Sequence, residues 1–212
     1  MKPPHHYDLD FLFDHVTENK REKINQIIKN RTRYITIVLE NISQSHNASA
    51  ILRTCDILGI QDIHIVESSR TFSSDNEISK GASKWIDVYH HATIQDCAAR
   101  LKEEGYRLVA TTPHERGYSL SALSITNKIA LMFGTESVGL SKAALAVADD
   151  FVTIPMYGFT ESFNISVSVG ICLYDLTTRM RAADISWQLI SSDSQAIQRV
   201  WLERILHMAE KP

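Results

Sequence analysis

Residues 33–40 read RYITIVLE, a run of β-branched and apolar side chains without helical period, and such a run predicts a strand buried on both faces. Segments 62–67, 85–90, 107–112, 129–133 and 151–156 have the same character. Between most of them apolar positions return every three or four residues. This predicts helices over 47–58, closed by Gly59, over 94–104, closed by Gly105, and over 142–148 after a Ser141 cap. Upstream, Thr17 is placed to cap a helix running to about Lys29 with Ile24, Ile27 and Ile28 as a narrow apolar stripe. Downstream the pattern is helical throughout, with one long helix from near Ser162 past Arg179. A last helix over 194–209 carries Ile197, Val200, Trp201, Ile205 and Met208 at helical spacing. The alternation predicts an α/β fold, a mainly parallel sheet with helices on both faces and ligands at the carboxyl ends of its strands. Helical extensions over 1–32 and 184–212 flank a domain over 33–183.

Composition narrows the class. With 212 residues, 44% hydrophobic and 22% charged, the chain has the make-up of one ordinary globular domain with short extensions. Its start lacks a signal-peptide pattern and no window reaches about 18 apolar residues, which points to a cytoplasmic protein. Cys55, Cys97 and Cys172 are far apart and set in apolar helical surroundings, so buried free thiols are expected. His5-His6 and His90-His91 lack any accompanying ligand motif, and no metal is expected. The net charge of −3 argues against non-specific coating of nucleic acid. Lys20, Arg21, Lys23, Lys29, Arg31 and Arg33 nevertheless stand against Glu22 alone, which is either a solvated helix face or an arm that tracks phosphates.

No two of the eight glycines are two residues apart, so the dinucleotide-binding fingerprint is missing, as are the P-loop and the GxSxG elbow. Two strand ends are unusual for mere connectors. IALMFGTESVGLS (129–141) places Gly134 and Gly139 around Glu136 just past a strand, which lets backbone approach a ligand with a carboxylate in reach. FVTIPMYGFTESFNIS (151–166) leads through a Gly turn into Ser162 and Asn164, either helix caps or ligand contacts. In ASAILRTCDIL (48–58) the wheel puts Ala48, Ile51, Leu52, Cys55 and Leu58 on one face and Arg53 opposite, so periodicity alone makes Arg53 a surface arginine.

Together, His46-Asn47-x-Ser-Ala50-Ile-x-Arg53, Phe133-Gly134-x-Glu136-x-x-Gly139-Leu140 and Ile154-Pro155-Met156-x-Gly158-x-x-x-Ser162-x-Asn164-Ile-Ser resemble the three motifs of the SpoU/TrmH branch of the SPOUT RNA methyltransferases. The resemblance runs from about Arg33 to Arg179. It implies a C-terminal deep trefoil knot, an exception to the rule against threading, and S-adenosylmethionine held among the knot loops. Thr111, Gly134, Ile154, Met156 and Phe163 are then expected around the cofactor; Phe163 stands where relatives commonly carry leucine. Glu136, Ser162 and Asn164 shape the pocket, Arg53 acts at the ribose 2′-OH, and Asn47 is placed to orient Arg53. The implied activity is 2′-O-methylation of tRNA by a homodimer, within the branch most like the enzymes that act on guanosine 18 of the D loop. Lys20, Arg21, Lys23, Arg31 and Arg33 are the expected RNA contacts. Ribosomal RNA, another tRNA position, or a knotted RNA-binding protein without catalysis are the alternative readings.

Overall fold

In the computed structural model, residues 8–42, 44–67, 84–113, 117–135 and 138–206 are described. The chain divides into two compact units, Thr32–Trp187 and the pair of terminal segments Met1–Arg31 and Gln188–Pro212.

The larger unit is a parallel sheet in the order β3-β2-β1-β6-β4-β7-β5. Its strands are β1 (Ile35–Glu40), β2 (Asp62–Val66), β3 (Asp87–His91), β4 (Arg107–Thr111), β5 (Tyr118–Ser119), β6 (Ile129–Phe133) and β7 (Asp150–Thr153). The central pairing sets Ile37 opposite both Ile63 of β2 and Leu131 of β6. Alternate side chains serve two cores. Ile35, Ile37, Leu39, Ile63, Leu131 and Phe133 pack with Ile51, Leu52 and Cys55 of α3 (Ser45–Leu58) and with Val169, Leu173 and Leu176 of α6 (Ile165–Ala182). Val38, Leu108, Ala110, Ala130 and Met132 pack on the other face with Ile94, Cys97 and Leu101 of α4 (Ile94–Glu103) and Ala144 of α5 (Lys142–Val147). All six residues of β1 are buried, so it carries apolar side chains on both faces, and its two polar residues, Thr36 and Glu40, are hydrogen-bonded.

Local chemistry sets the boundaries. Gly59 and Gly105 adopt φ of 82° and 84° where α3 and α4 end, a conformation glycine takes without steric cost. Thr93, Ser141 and Asn164 cap α4, α5 and α6 through their side-chain oxygens. β7 stops at Thr153, short of the expected 156, because Pro155 has no N–H to give a ladder. The short edge strand β5 and the 3₁₀ turn Leu120–Ala122 were not expected; two and three residues are too few to show a period.

The smaller unit contains α1 (Leu9–Asp14), α2 (Glu18–Ile28) and α7 (Ser191–Ile205). Leu12, Phe13, Ile24, Ile28, Ile197, Trp201 and Leu202 form its interior, while Ile27 is exposed. Met208 and Ala209, read as part of the last helix, lie outside the described residues. No helix among the described residues is long and apolar enough to cross a membrane.

Candidate active site

At the carboxyl ends of β4, β6 and β7 lies a cavity of about 470 Å³. Its wall comes from four stretches: Thr111, Thr112 and Pro113 after β4; Phe133, Gly134, Thr135, Val138, Gly139 and Leu140 after β6; Val152, Ile154 and Met156 after β7; and Glu161, Ser162, Phe163, Ile165, Ser168 and Cys172 leading into α6. Leu145 of α5 completes the lining. Apolar and polar surface share this wall about equally, which suits a ligand with a flat heterocycle and several polar groups.

Each wall is held by bonds that the strands alone do not supply. The Thr111 hydroxyl donates to the Met132 carbonyl at 2.7 Å, and the Thr153 hydroxyl to the Thr112 carbonyl at 2.9 Å. After β6 the chain doubles back, Thr135 and Gly139 exchanging backbone bonds of 3.2 and 2.9 Å. Gly139 sits at φ 69°. At Gly134 a Cβ atom would fall 2.1 Å from the Gly139 carbonyl, so no side chain fits. Beyond the loop, the Ser141 N–H and hydroxyl donate to the Glu40 carboxylate at 2.8 and 2.7 Å, fastening the start of α5 to the end of β1. Burial pushes the Cys172 thiol up to about 12, which keeps it protonated and makes it a wall rather than a nucleophile.

Beside the cavity the starts of α3 and α6 meet. The Asn164 carbonyl oxygen accepts from the N–H and hydroxyl of Ser166 at 2.9 and 2.6 Å, and its amide donates to Asn47 Oδ1 at 3.2 Å. Asn47, buried in α3, in turn donates to Gln44 Oε1 at 3.0 Å. Residues 117 apart in sequence thus share one hydrogen bond. Nothing in these bonds reaches Arg53, which is exposed on α3, does not line the cavity, and makes no ion pair or hydrogen bond among the described residues.

The residues expected around the cofactor, Thr111, Gly134, Ile154, Met156 and Phe163, all line this cavity together with Ser162. Asn47 and Asn164 are brought together at its side, and Glu136 lies outside the described residues. The basic run is divided. Lys20, Arg21 and Lys23 are exposed on α2, with Arg21 4.0 Å from Asp14. Arg31 is only 2% exposed, its guanidinium over the Trp201 ring at 5.2 Å. Arg33 pairs with Asp62 at 3.0 Å and Asp87 at 3.1 Å. Arg31 is therefore too buried to be the phosphate contact expected of it, and the partly exposed Arg33 is engaged by two carboxylates: α2 ends at Ile28, and both arginines lie beyond it. Sequence reasoning missed Glu40 and Glu161. The signal for Glu40 was available, a carboxylate ending a mostly apolar buried run.

Residues 34–174 match the family model for the SpoU rRNA methylase family. The chain is 39% identical over 191 residues to a tRNA (guanosine(18)-2′-O)-methyltransferase of Borreliella burgdorferi, covering 90% of this chain and 88% of that one. It superposes on a TrmH/SpoU tRNA modifying enzyme of A. aeolicus with a TM-score of 0.79 at 26% identity, covering 89% of this chain and 98% of the other. At 20% identity and a TM-score of 0.63 it shares its fold with the SpoU methyltransferase AviRb of Streptomyces viridochromogenes, solved with AdoMet, over 74% of this chain and 65% of that one.

Proposed function

The chain belongs to the SpoU methylase family, and from that membership we propose that it transfers a methyl group from S-adenosylmethionine to the ribose 2′-OH of guanosine 18 in the tRNA D loop. The observation that carries the reading is the single cavity in which Gly134, Ile154, Met156, Ser162 and Phe163 meet, with the Asn47–Asn164 bond at its side. Its lining fits S-adenosylmethionine: apolar walls for adenine from Ile154, Met156 and Phe163, and backbone left bare by Gly134 and Gly139 for polar edges. That cofactor supplies an electrophilic methyl on sulfur; everything else is the protein's to provide.

The hydroxyl has to be positioned, kept from water and stabilised as it loses its proton. Arg53 suits the last task. A guanidinium has five donors, no acceptor lone pair and stays charged at any working pH, so it stabilises a developing alkoxide or grips a neighbouring phosphate but does not take the proton. Since Arg53 is not in the wall of its own chain's cavity, the reading includes a homodimer in which Arg53 of one copy serves the cavity of the other. Exposed Ile57 on α3 and Val167 and Tyr174 on α6 support such a contact, as does open space around Gly170. Lys20, Arg21 and Lys23 on α2 offer charge for the tRNA backbone. The reading places the protein with its tRNA substrate, in the cytoplasm.

The test is incubation of unmodified tRNA with the protein and S-adenosylmethionine, followed by nucleoside analysis. The expected product is 2′-O-methylguanosine; methyl groups found only on bases would overturn the reading.

A further inference from the structure

At the sheet edge opposite the cavity, three ligand-type side chains come together that sequence spacing keeps apart. His64 of β2 and His91 of β3 project onto the face covered by α4, and Cys97 of α4 closes over them. His64 Nδ1 and His91 Nε2 are 2.9 Å apart, and one ring nitrogen of each histidine and Cys97 Sγ all lie within 4.8 Å of one another. His64 and Cys97 are buried, whereas His91 is partly open to solvent.

We propose that His64, His91 and Cys97 form a binding site for a thiophilic divalent ion such as Zn²⁺, with water as the fourth ligand. Metal–nitrogen bonds of about 2.0–2.1 Å and a metal–sulfur bond of about 2.3 Å at tetrahedral angles need ligand atoms roughly 3.3–3.7 Å apart. The two rings would open by a few tenths of an ångström, and Cys97 Sγ would close by about one. The set contains two imidazoles, one sulfur and no carboxylate, a combination that favours Zn²⁺ and Co²⁺ over Mg²⁺ and Ca²⁺.

Binding breaks the His64–His91 hydrogen bond and forms two metal–nitrogen bonds and one metal–sulfur bond. Burial pushes the Cys97 thiol up to about 12, so its proton leaves to solvent only as the sulfur bonds the ion, and the proton between the rings moves to the far nitrogen of the ring that holds it. Arg100 of α4 carries an opposing charge. It lies over the Tyr89 ring at 4.2 Å and is held by Glu104 at 2.9 Å, which offsets its repulsion of a cation. Asp96, at the start of α4, adds further negative charge to this side. A bound ion would tie α4 to the two outermost strands of this edge, a role independent of methyl transfer.

The experiment is a Co²⁺ titration of the metal-stripped full-length protein followed by absorbance. One equivalent is expected to give a thiolate-to-cobalt charge-transfer band in the near ultraviolet and intense tetrahedral bands in the visible, both abolished by excess Zn²⁺ and absent in Cys97→Ser and His91→Gln. Circular dichroism confirms that each variant is folded; if Cys97→Ser is not, the half-exposed His91→Gln decides. No charge-transfer band in the wild type overturns the proposal, as does a band that persists in the folded variants, since Cys55 or Cys172 would then be its source.

Discussion

Replacing Gly134 by alanine tests whether the doubled-back loop after β6 shapes the cofactor wall. The added Cβ would lie 2.1 Å from both the carbonyl carbon and oxygen of Gly139 and 2.3 Å from the Leu140 nitrogen, against a normal contact of about 3.5–4.0 Å. All three atoms are backbone, so relief requires the loop itself to move and the paired Thr135–Gly139 bonds to part. Two such bonds at about 0.5–1.5 kcal/mol each put the cost near 1–3 kcal/mol. If binding the cofactor requires the closed loop, that cost appears as a loss of affinity of roughly 5- to 150-fold. Calorimetric titration of S-adenosylmethionine into the folded variant measures it. Gly158→Ala is the control, since a Cβ there meets nothing nearer than 3.9 Å, and its affinity should match the wild type. Wild-type affinity in folded Gly134→Ala would refute the reasoning.

Arg53→Ala should bind S-adenosylmethionine as the wild type does yet lose methyl transfer by about 10²-fold or more, the scale for removing one charge-stabilising donor; comparing titration with single-turnover rates checks both halves. Glu40→Ala deprives the Ser141 N–H and hydroxyl of their acceptor, so thermal unfolding should show a loss of about 2–4 kcal/mol. Lys20→Glu with Lys23→Glu should weaken tRNA binding and flatten its salt dependence, with wild-type affinity returning these lysines to a solvated face. Asn164→Ala removes the α6 cap and the bond to Asn47; a melting experiment should show about 1–2 kcal/mol of destabilisation.

The layered fold was legible because its signals are local. The run 129–133 became β6 at those limits, and Gly59, Gly105, Thr17 and Ser141 bound the helices they were read as bounding, whereas the long helix expected from near Ser162 starts at Ile165 behind Asn164. The site was legible only through motif order. Arg53 follows the polar face of its helix as any surface arginine does, and no periodicity separates Gly134, which has no room for a side chain, from Gly158, which has. The long-range partnership of Asn47 and Asn164 left no local trace, and although Glu40 stood out in its strand, nothing local named Ser141 as its partner. The basic run misled for a related reason. Counting charges ignores where a helix stops, and past the end of α2 Arg31 is buried and Arg33 is paired with carboxylates. His90-His91 was set aside for lack of a ligand motif, yet His64 and Cys97 reach His91 from neighbouring elements.

The most direct test of 2′-O-transfer at guanosine 18 is labelled methyl incorporation from S-adenosylmethionine into two tRNAs, one unmodified and one differing only by 2′-deoxyguanosine at position 18. Incorporation into the first and none into the second is the predicted result; equal incorporation into both would contradict the account.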